Sequence, residues 1–234
     1  MIRNKDSKTI RYIFNKVSSK YDFLNNLLSF GLHKLWKKKL IKILKPSAGE
    51  SWADLCCGTG DLTLLIRENL GKDGLVFGVD SAIDILEIAK EKSDKFSKDE
   101  IHWIEKDIFA LDDSKYKFDG ICMSYGLRNL KSVECGIIKV FDLLKENGRA
   151  GFLDFNHPEE DSLASLFQKI FLRYLVVPIA GIFKLHEEYA YIENSIRSFP
   201  KGKNLIEISI KNGFRKASYR DLMWGQMGIL LIEK

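Results

Sequence analysis

The sequence predicts an α/β fold, a seven-stranded and mostly parallel sheet with an antiparallel strand towards its C-terminus, an N-terminal helical extension and a helical lid insertion. Three observations carry that expectation. From Glu50 to about Phe155, short apolar runs alternate with helical patterns, which implies parallel strands joined by right-handed crossovers. The final stretch instead holds two neighbouring strand-like runs, Phe214 to Leu222 and Gly228 to Glu233, suited to antiparallel pairing. Nearly every polar residue that interrupts an apolar strand does so at its carboxyl end, the edge where such sheets bind ligands.

Residues 1–45 read as the helical extension. Ile10, Ile13, Phe14 and Val17 recur at helical spacing, and Gly31 ends a cluster of aromatics and amides that begins at Tyr21. Leu32, Trp36, Leu40, Ile43 and Leu44 then form an apolar stripe, with Lys34, Lys37, Lys38, Lys42 and Lys45 on most other positions. That pattern fits a helix covering the sheet, or a basic amphipathic helix resting on a membrane surface. Pro46 stops it. The core, 50–156, carries strands near 51–56, 75–79, 101–105, 119–124 and 149–155, helices near 61–70, 81–92 and 132–145, and a turn at Lys145-Glu-Asn-Gly148. The lid, 158–200, is rich in large apolar residues from Leu163 to Phe183, either packing against itself or offering a pocket to a long apolar substrate. A helix near Leu205 to Asn212 and the hairpin complete 201–234, and the whole reads as one domain.

With 234 residues, 45% of them hydrophobic, one sizeable core is within reach. Cys56, Cys57, Cys122 and Cys135 show no C-x-x-C spacing and read as reduced thiols, and no metal site is expected. The N-terminus lacks the apolar stretch of a signal peptide. The longest apolar run, Tyr174 to Phe183, is too short for a bilayer that needs about 20 residues. A cytoplasmic protein, at most peripheral at the membrane, is the expectation. The net charge of +5 discriminates between no partners.

The chemistry is expected around Ser51 to Asp61. Trp52 to Cys56 suits a buried strand with one acid, Asp54, near its end; Gly58-Thr59-Gly60 turns the chain, and Asp61 stands where a helix cap belongs. Asp80 ends the second apolar run, placed to hold the hydroxyls of a ribose. A dinucleotide fold wants glycine or alanine where this chain has Thr63, and an acid just ahead of the loop suits an ammonium and a sulfonium better than a pyrophosphate. S-adenosyl-L-methionine is such a ligand. Asp107 would reach an adenine amino group and the Ile108 N–H a ring nitrogen, though a carboxylate there would equally cap a turn. Ser124 to Asn129 forms a loop on the same edge.

These residues resemble the ubiquinone/menaquinone biosynthesis C-methyltransferases, in the class I S-adenosylmethionine-dependent superfamily with its Rossmann-like fold. The likeness runs from about Phe14 to the C-terminus through Tyr21-Asp-x-x-Asn25, Ser29-Phe-Gly-x-His-x-x-Trp36, Gly58-Thr-Gly-Asp61, Gly126-Leu-Arg-Asn129 and Ser195-Ile-Arg-x-x-Pro200. Cys56-Cys57 departs from the family's usual Ala-Gly. Leu153-Asp-Phe-Asn156, followed by His157-Pro158, and Gly225-Gln-Met-Gly228 look like the cyanobacterial and plastid branch that methylates demethylphylloquinone. The resemblance implies that Thr59, Asp80, Asp107, Ile108 and Ser124 contact the cofactor; Asp54, with the strand-one backbone, would orient its methionine moiety, and Gly58 and Gly60 let the backbone approach it. It implies methyl transfer to a ring carbon of a prenylated naphthoquinol, since an intact quinone ring is too electron-poor to attack. Arg128 would stabilise a developing phenolate, Asp154 and His157 are candidate bases, and Tyr21 would cover the sulfonium by cation–π contact. Demethylmenaquinol or a benzoquinol precursor are alternative substrates, and the oligomeric state stays open. An RNA methyltransferase lacks its Arg-rich or aromatic stripe here, so no nucleic-acid partner is expected; a non-catalytic adenosyl-binding partner is the remaining alternative.

Overall fold

In chain order the elements are α1 (Ser7–Val17), α2 (Leu32–Leu44), β1 (Ser51–Leu55), α3 (Asp61–Arg67), β2 (Leu75–Asp80), α4 (Ile83–Lys92), β3 (Ile101–Glu105), β4 (Phe118–Ser124), α5 (Val133–Leu143), β5 (Leu144–Phe155), α6 (Gly202–Lys211), β6 (Lys216–Leu222) and β7 (Met227–Glu233). Short 3₁₀ turns at Ile108–Ala110 and Leu127–Asn129 follow β3 and β4. This computed structural model describes residues 7–17, 22, 25–26, 29, 31–94, 96, 100–156, 166, 170, 174 and 194–234. Tyr21, His157 and most of the lid expected at 158–200 lie outside the described residues.

The strands form one seven-stranded sheet in the order β3-β2-β1-β4-β5-β7-β6, parallel except for β7, which runs against both neighbours. The chain leaves β1 towards β2 on one side and returns to β4 on the other, so a crevice opens above the carboxyl ends of β1 and β4. Period-two alternation divides the apolar side chains between two layers. Leu55, Met123, Phe152 and Leu230 meet Ile137 and Val140 of α5 and Leu205 of α6. Trp52, Cys122, Leu153 and Ile229 meet Leu40 and Leu44 of α2 and Leu62 and Ile66 of α3. Gly151 lets α2 lie on β5: a Cβ there would come within 2.7 Å of both Leu40 and Leu44.

Three expectations are corrected. The turn expected at 145–148 is taken into β5, which starts at Leu144; the pairing slips from Phe118↔Leu144 to Gly120↔Arg149, and Asn147 at φ 61 absorbs the extra residues as a bulge. Helix α3 ends at Arg67 rather than near residue 70, and the Arg67 guanidinium reaches forward to the carbonyls of Gly71 and Gly74 in the turn that follows. Asp61 does not cap α3. Gly60, at φ 78, is the N-cap, and the Asp61 carboxylate is engaged by two lysines.

Candidate active site

Apolar runs bring the acids of β1 and β2 side by side, Asp54 opposite Gly78 and Leu55 opposite Val79, so Asp80 emerges beneath the glycine loop. One Asp80 oxygen accepts the Gly58 N–H at 2.9 Å and the other accepts the Ala82 N–H at 2.9 Å. Each oxygen keeps a further lone pair for a ligand hydroxyl. Burial raises the Asp80 pKa against the pull of those N–H groups.

Asp54 is buried one strand over. Its Oδ2 accepts the Thr63 N–H at 2.9 Å and the Thr63 hydroxyl at 2.7 Å, while Oδ1 has no partner among the described residues. Burial pushes this carboxyl up to about 7, against the Thr63 hydrogen bond and the charge of Lys37. Asp107 caps the turn after β3 by accepting the Phe109 N–H at 2.9 Å, so the capping role is real, and the residue also faces the crevice.

Gly58, Asp80, Asp107, Ile108 and Ser124 all line one cleft, with Ile10 of α1 closing its rim. The cleft holds about 710 Å³ of empty space, open solvent included. The spare lone pairs of Asp80 fit a ligand that brings a ribose diol; Asp54 does not line the cleft but lies buried behind it, with one oxygen unpartnered among the described residues.

Thr59 and Gly60 share the loop but turn away from the cleft. The Thr59 hydroxyl donates to Asp22 at 2.6 Å. A Cβ on Gly60 would stand 2.7 Å from the Trp103 ring. Behind the loop lies a charge cluster. Lys92 reaches Asp61 at 2.6 Å and Asp22 at 2.9 Å, and Lys37 reaches Asp61 at 2.8 Å. Burial opposes ionisation of Asp61, yet Lys37 and Lys92 hold its carboxyl well below the usual range. His33 hydrogen-bonds Ser29 at 2.7 Å; burial, then the charge of Lys37, lowers its pKa to about 4. Lys37, one of the lysines outside the apolar stripe of its helix, is buried.

Arg128 and Asp154 form a buried pair at 2.8 Å between the loop after β4 and the end of β5. Asp154 accepts three bonds, from Arg128 Nη1, the Arg128 N–H at 3.2 Å and the Phe155 N–H at 2.9 Å. Arg128 also donates to the Tyr125 carbonyl at 2.5 Å and lies 5.1 Å from the centre of the Phe155 ring. Its Nε is buried without a partner among the described residues.

Sequence reasoning missed Asp22, Lys37, Lys92 and Cys56. Cys56 left a signal, the departure from Ala-Gly. It takes φ 55 and lines the cleft, and a Cβ on Gly126 would come within 2.8 Å of its own Cβ. Burial raises the pKa of the Cys56 and Cys57 thiols, so both are neutral. Lys92 left none, since only the fold brings it to Asp61.

Comparison with known proteins gives a consistent picture. The model of the ubiE/COQ5 methyltransferase family matches residues 1–232. A 2-phytyl-1,4-naphthoquinone methyltransferase of Nostoc punctiforme is 39% identical over 226 residues, covering 96% of this chain and 98% of that protein. The chloroplastic 2-phytyl-1,4-beta-naphthoquinone methyltransferase of Arabidopsis thaliana is 33% identical over 97% of this chain and 88% of its own. Among solved structures, SAM-dependent methyltransferases from Thermotoga maritima and Aquifex aeolicus match with TM-scores of 0.66 and 0.62 at 14% identity, covering 95% and 91% of this chain and 98% and 97% of theirs. At that identity they speak for the fold alone.

Proposed function

The chain belongs to the ubiE/COQ5 methyltransferase family, and from that premise we propose that it methylates the ring of 2-phytyl-1,4-naphthoquinol, giving phylloquinol, with S-adenosylmethionine as donor. The observation that carries the reading is the single cleft on which Gly58, Asp80, Asp107, Ile108 and Ser124 converge. The names of the full-length relatives support the choice of ring and tail.

S-adenosylmethionine supplies an electrophilic methyl group. Asp80 holds the ribose hydroxyls through its spare lone pairs, while Asp107 and the Ile108 N–H read the adenine. Asp54 stabilises positive charge from beneath the loop through Oδ1. Arg128 keeps its Nη1 on Asp154 and presents the unpartnered Nε to a phenolate oxygen as negative charge develops there. We assign Asp154 to orienting that guanidinium rather than to accepting a proton, because protonation would give up its buried ion pair with Arg128. His157 is the proton acceptor the sequence offers, and Tyr21 the ring over the sulfonium. The substrate's tail places the reaction at a membrane surface; no helix among the described residues is long and apolar enough to cross one.

The test is transfer of labelled methyl from S-adenosylmethionine to chemically reduced 2-phytyl-1,4-naphthoquinone, beside calorimetric titration of two variants. Asp80→Ala is expected to lose cofactor binding. Arg128→Ala is expected to keep it, at a temperature where it is folded, and to lose turnover. Full-strength cofactor binding by Asp80→Ala, or no transfer to any naphthoquinol, would overturn the reading.

A further inference from the structure

One face of α2 and one hairpin tip have no role in the site described above. The helix carries no acid in its first turn, and its outward positions are Lys34, Leu35, Lys38, Lys39 and Lys42, all exposed and contiguous at helical spacing. None of those four lysines has an ion pair among the described residues. The contrast within the helix is Lys37, which turns inward to Asp61. Leu35 stands in the middle of the lysines with 60% of its surface exposed.

The second feature is the turn between β6 and β7. Because β6 runs parallel to β1 through β5, its end lies on the carboxyl edge of the sheet, the edge of the cleft. Trp224 at the tip is 83% exposed, and Met223 beside it is exposed too. Leu222 and Met227, which flank the tip, belong to the same apolar cluster as Trp36 and Leu40 of α2. Helix and tip residues thus pack on the same face of the sheet.

We propose that the outer face of α2 and the Met223–Trp224 tip together dock the protein on an anionic lipid bilayer, with the carboxyl edge of the sheet beside the membrane. Unpaired lysines supply attraction to anionic headgroups, and Leu35 and Trp224 supply the apolar and amphipathic anchors that an interface takes up. Those anchors are what favour lipid over nucleic acid, whose phosphates the lysines alone would also suit. The inference rests on the reading of the substrate as a prenylated quinol, which must be met where its tail dissolves.

The test is sedimentation of the full chain with vesicles of phosphatidylglycerol or of phosphatidylcholine. The wild type is expected to bind the anionic vesicles preferentially. Lys34→Glu, Lys38→Glu and Lys42→Glu combined should lose at least about a hundredfold in affinity, from about fivefold per lysine charge removed. Trp224→Ser should weaken binding severalfold without changing its salt dependence. Unchanged cofactor titration shows that each variant is folded. Equal binding to both lipids, undiminished binding by the charge-reversed variant, or tighter binding to a duplex RNA than to the anionic vesicles would overturn the proposal. Turnover of a short-tailed naphthoquinol dispersed in detergent is measured in parallel. Its absence from every protein counts against the reaction, whereas the vesicles judge the docking surface by itself.

Discussion

Asp54 carries a buried carboxylate oxygen that nothing described in the chain satisfies, and a carboxyl pKa pushed up to about 7. A cationic ligand beside that oxygen favours the ionised form. Binding of S-adenosylmethionine near pH 6.5 should therefore release a proton, and the apparent affinity should rise as pH passes upward through 7. Calorimetry in two buffers of different ionisation heat reads this directly, and Asp54→Asn should abolish the difference. Arg128 and Asp154 make a second prediction. Removing one member of a buried pair strands the other, so Arg128→Ala should cost about 3–5 kcal/mol of stability. Replacing both by alanine should cost clearly less than the sum of the single changes, measured by urea unfolding.

Element by element, β7 is the strand most dependent on a missing side chain. A Cβ on Gly228 would lie 1.8 Å from the Tyr219 hydroxyl oxygen and 2.2 Å from the adjoining ring carbon. Gly228→Ala should thus destabilise by about 2 kcal/mol or more, and Tyr219→Leu in the same chain should recover part of it, by thermal unfolding. This glycine was legible only as part of a family motif, because the ring that needs it comes from the neighbouring strand. What local pattern did show is the set of strand tips. Asp54, Asp80 and Ser124 stand out since each ends or interrupts an apolar run. The bulge in β5 was hidden because Lys145 to Gly148 has turn chemistry, and only pairing with β4 keeps it in the strand. Lys37 was hidden by its company: among solvated lysines, nothing local marks the one that Asp61 draws inward.

Across the whole molecule, two buried groups pull stability in opposite directions with pH. His33, lowered to about 4, leaves the unfolded chain holding more protons between about pH 4 and 6.5, so its contribution is lost as pH falls through that window. Asp54, raised to about 7, makes the folded chain hold more protons between about pH 4 and 7, so its contribution is lost as pH rises. Urea midpoints of the wild type should accordingly change little between pH 7 and 5. On that same step Asp54→Asn should become less stable and His33→Gln more stable; matching slopes for both variants would refute the assignment. One other structural detail reaches further. The carboxylate of Asp80 braces the glycine loop with one oxygen and the turn after β2 with the other before any guest arrives, so the receiving surface is already set. Entry of the nucleoside should then be a single second-order event in rapid mixing, with no slower concentration-independent phase while the loop settles.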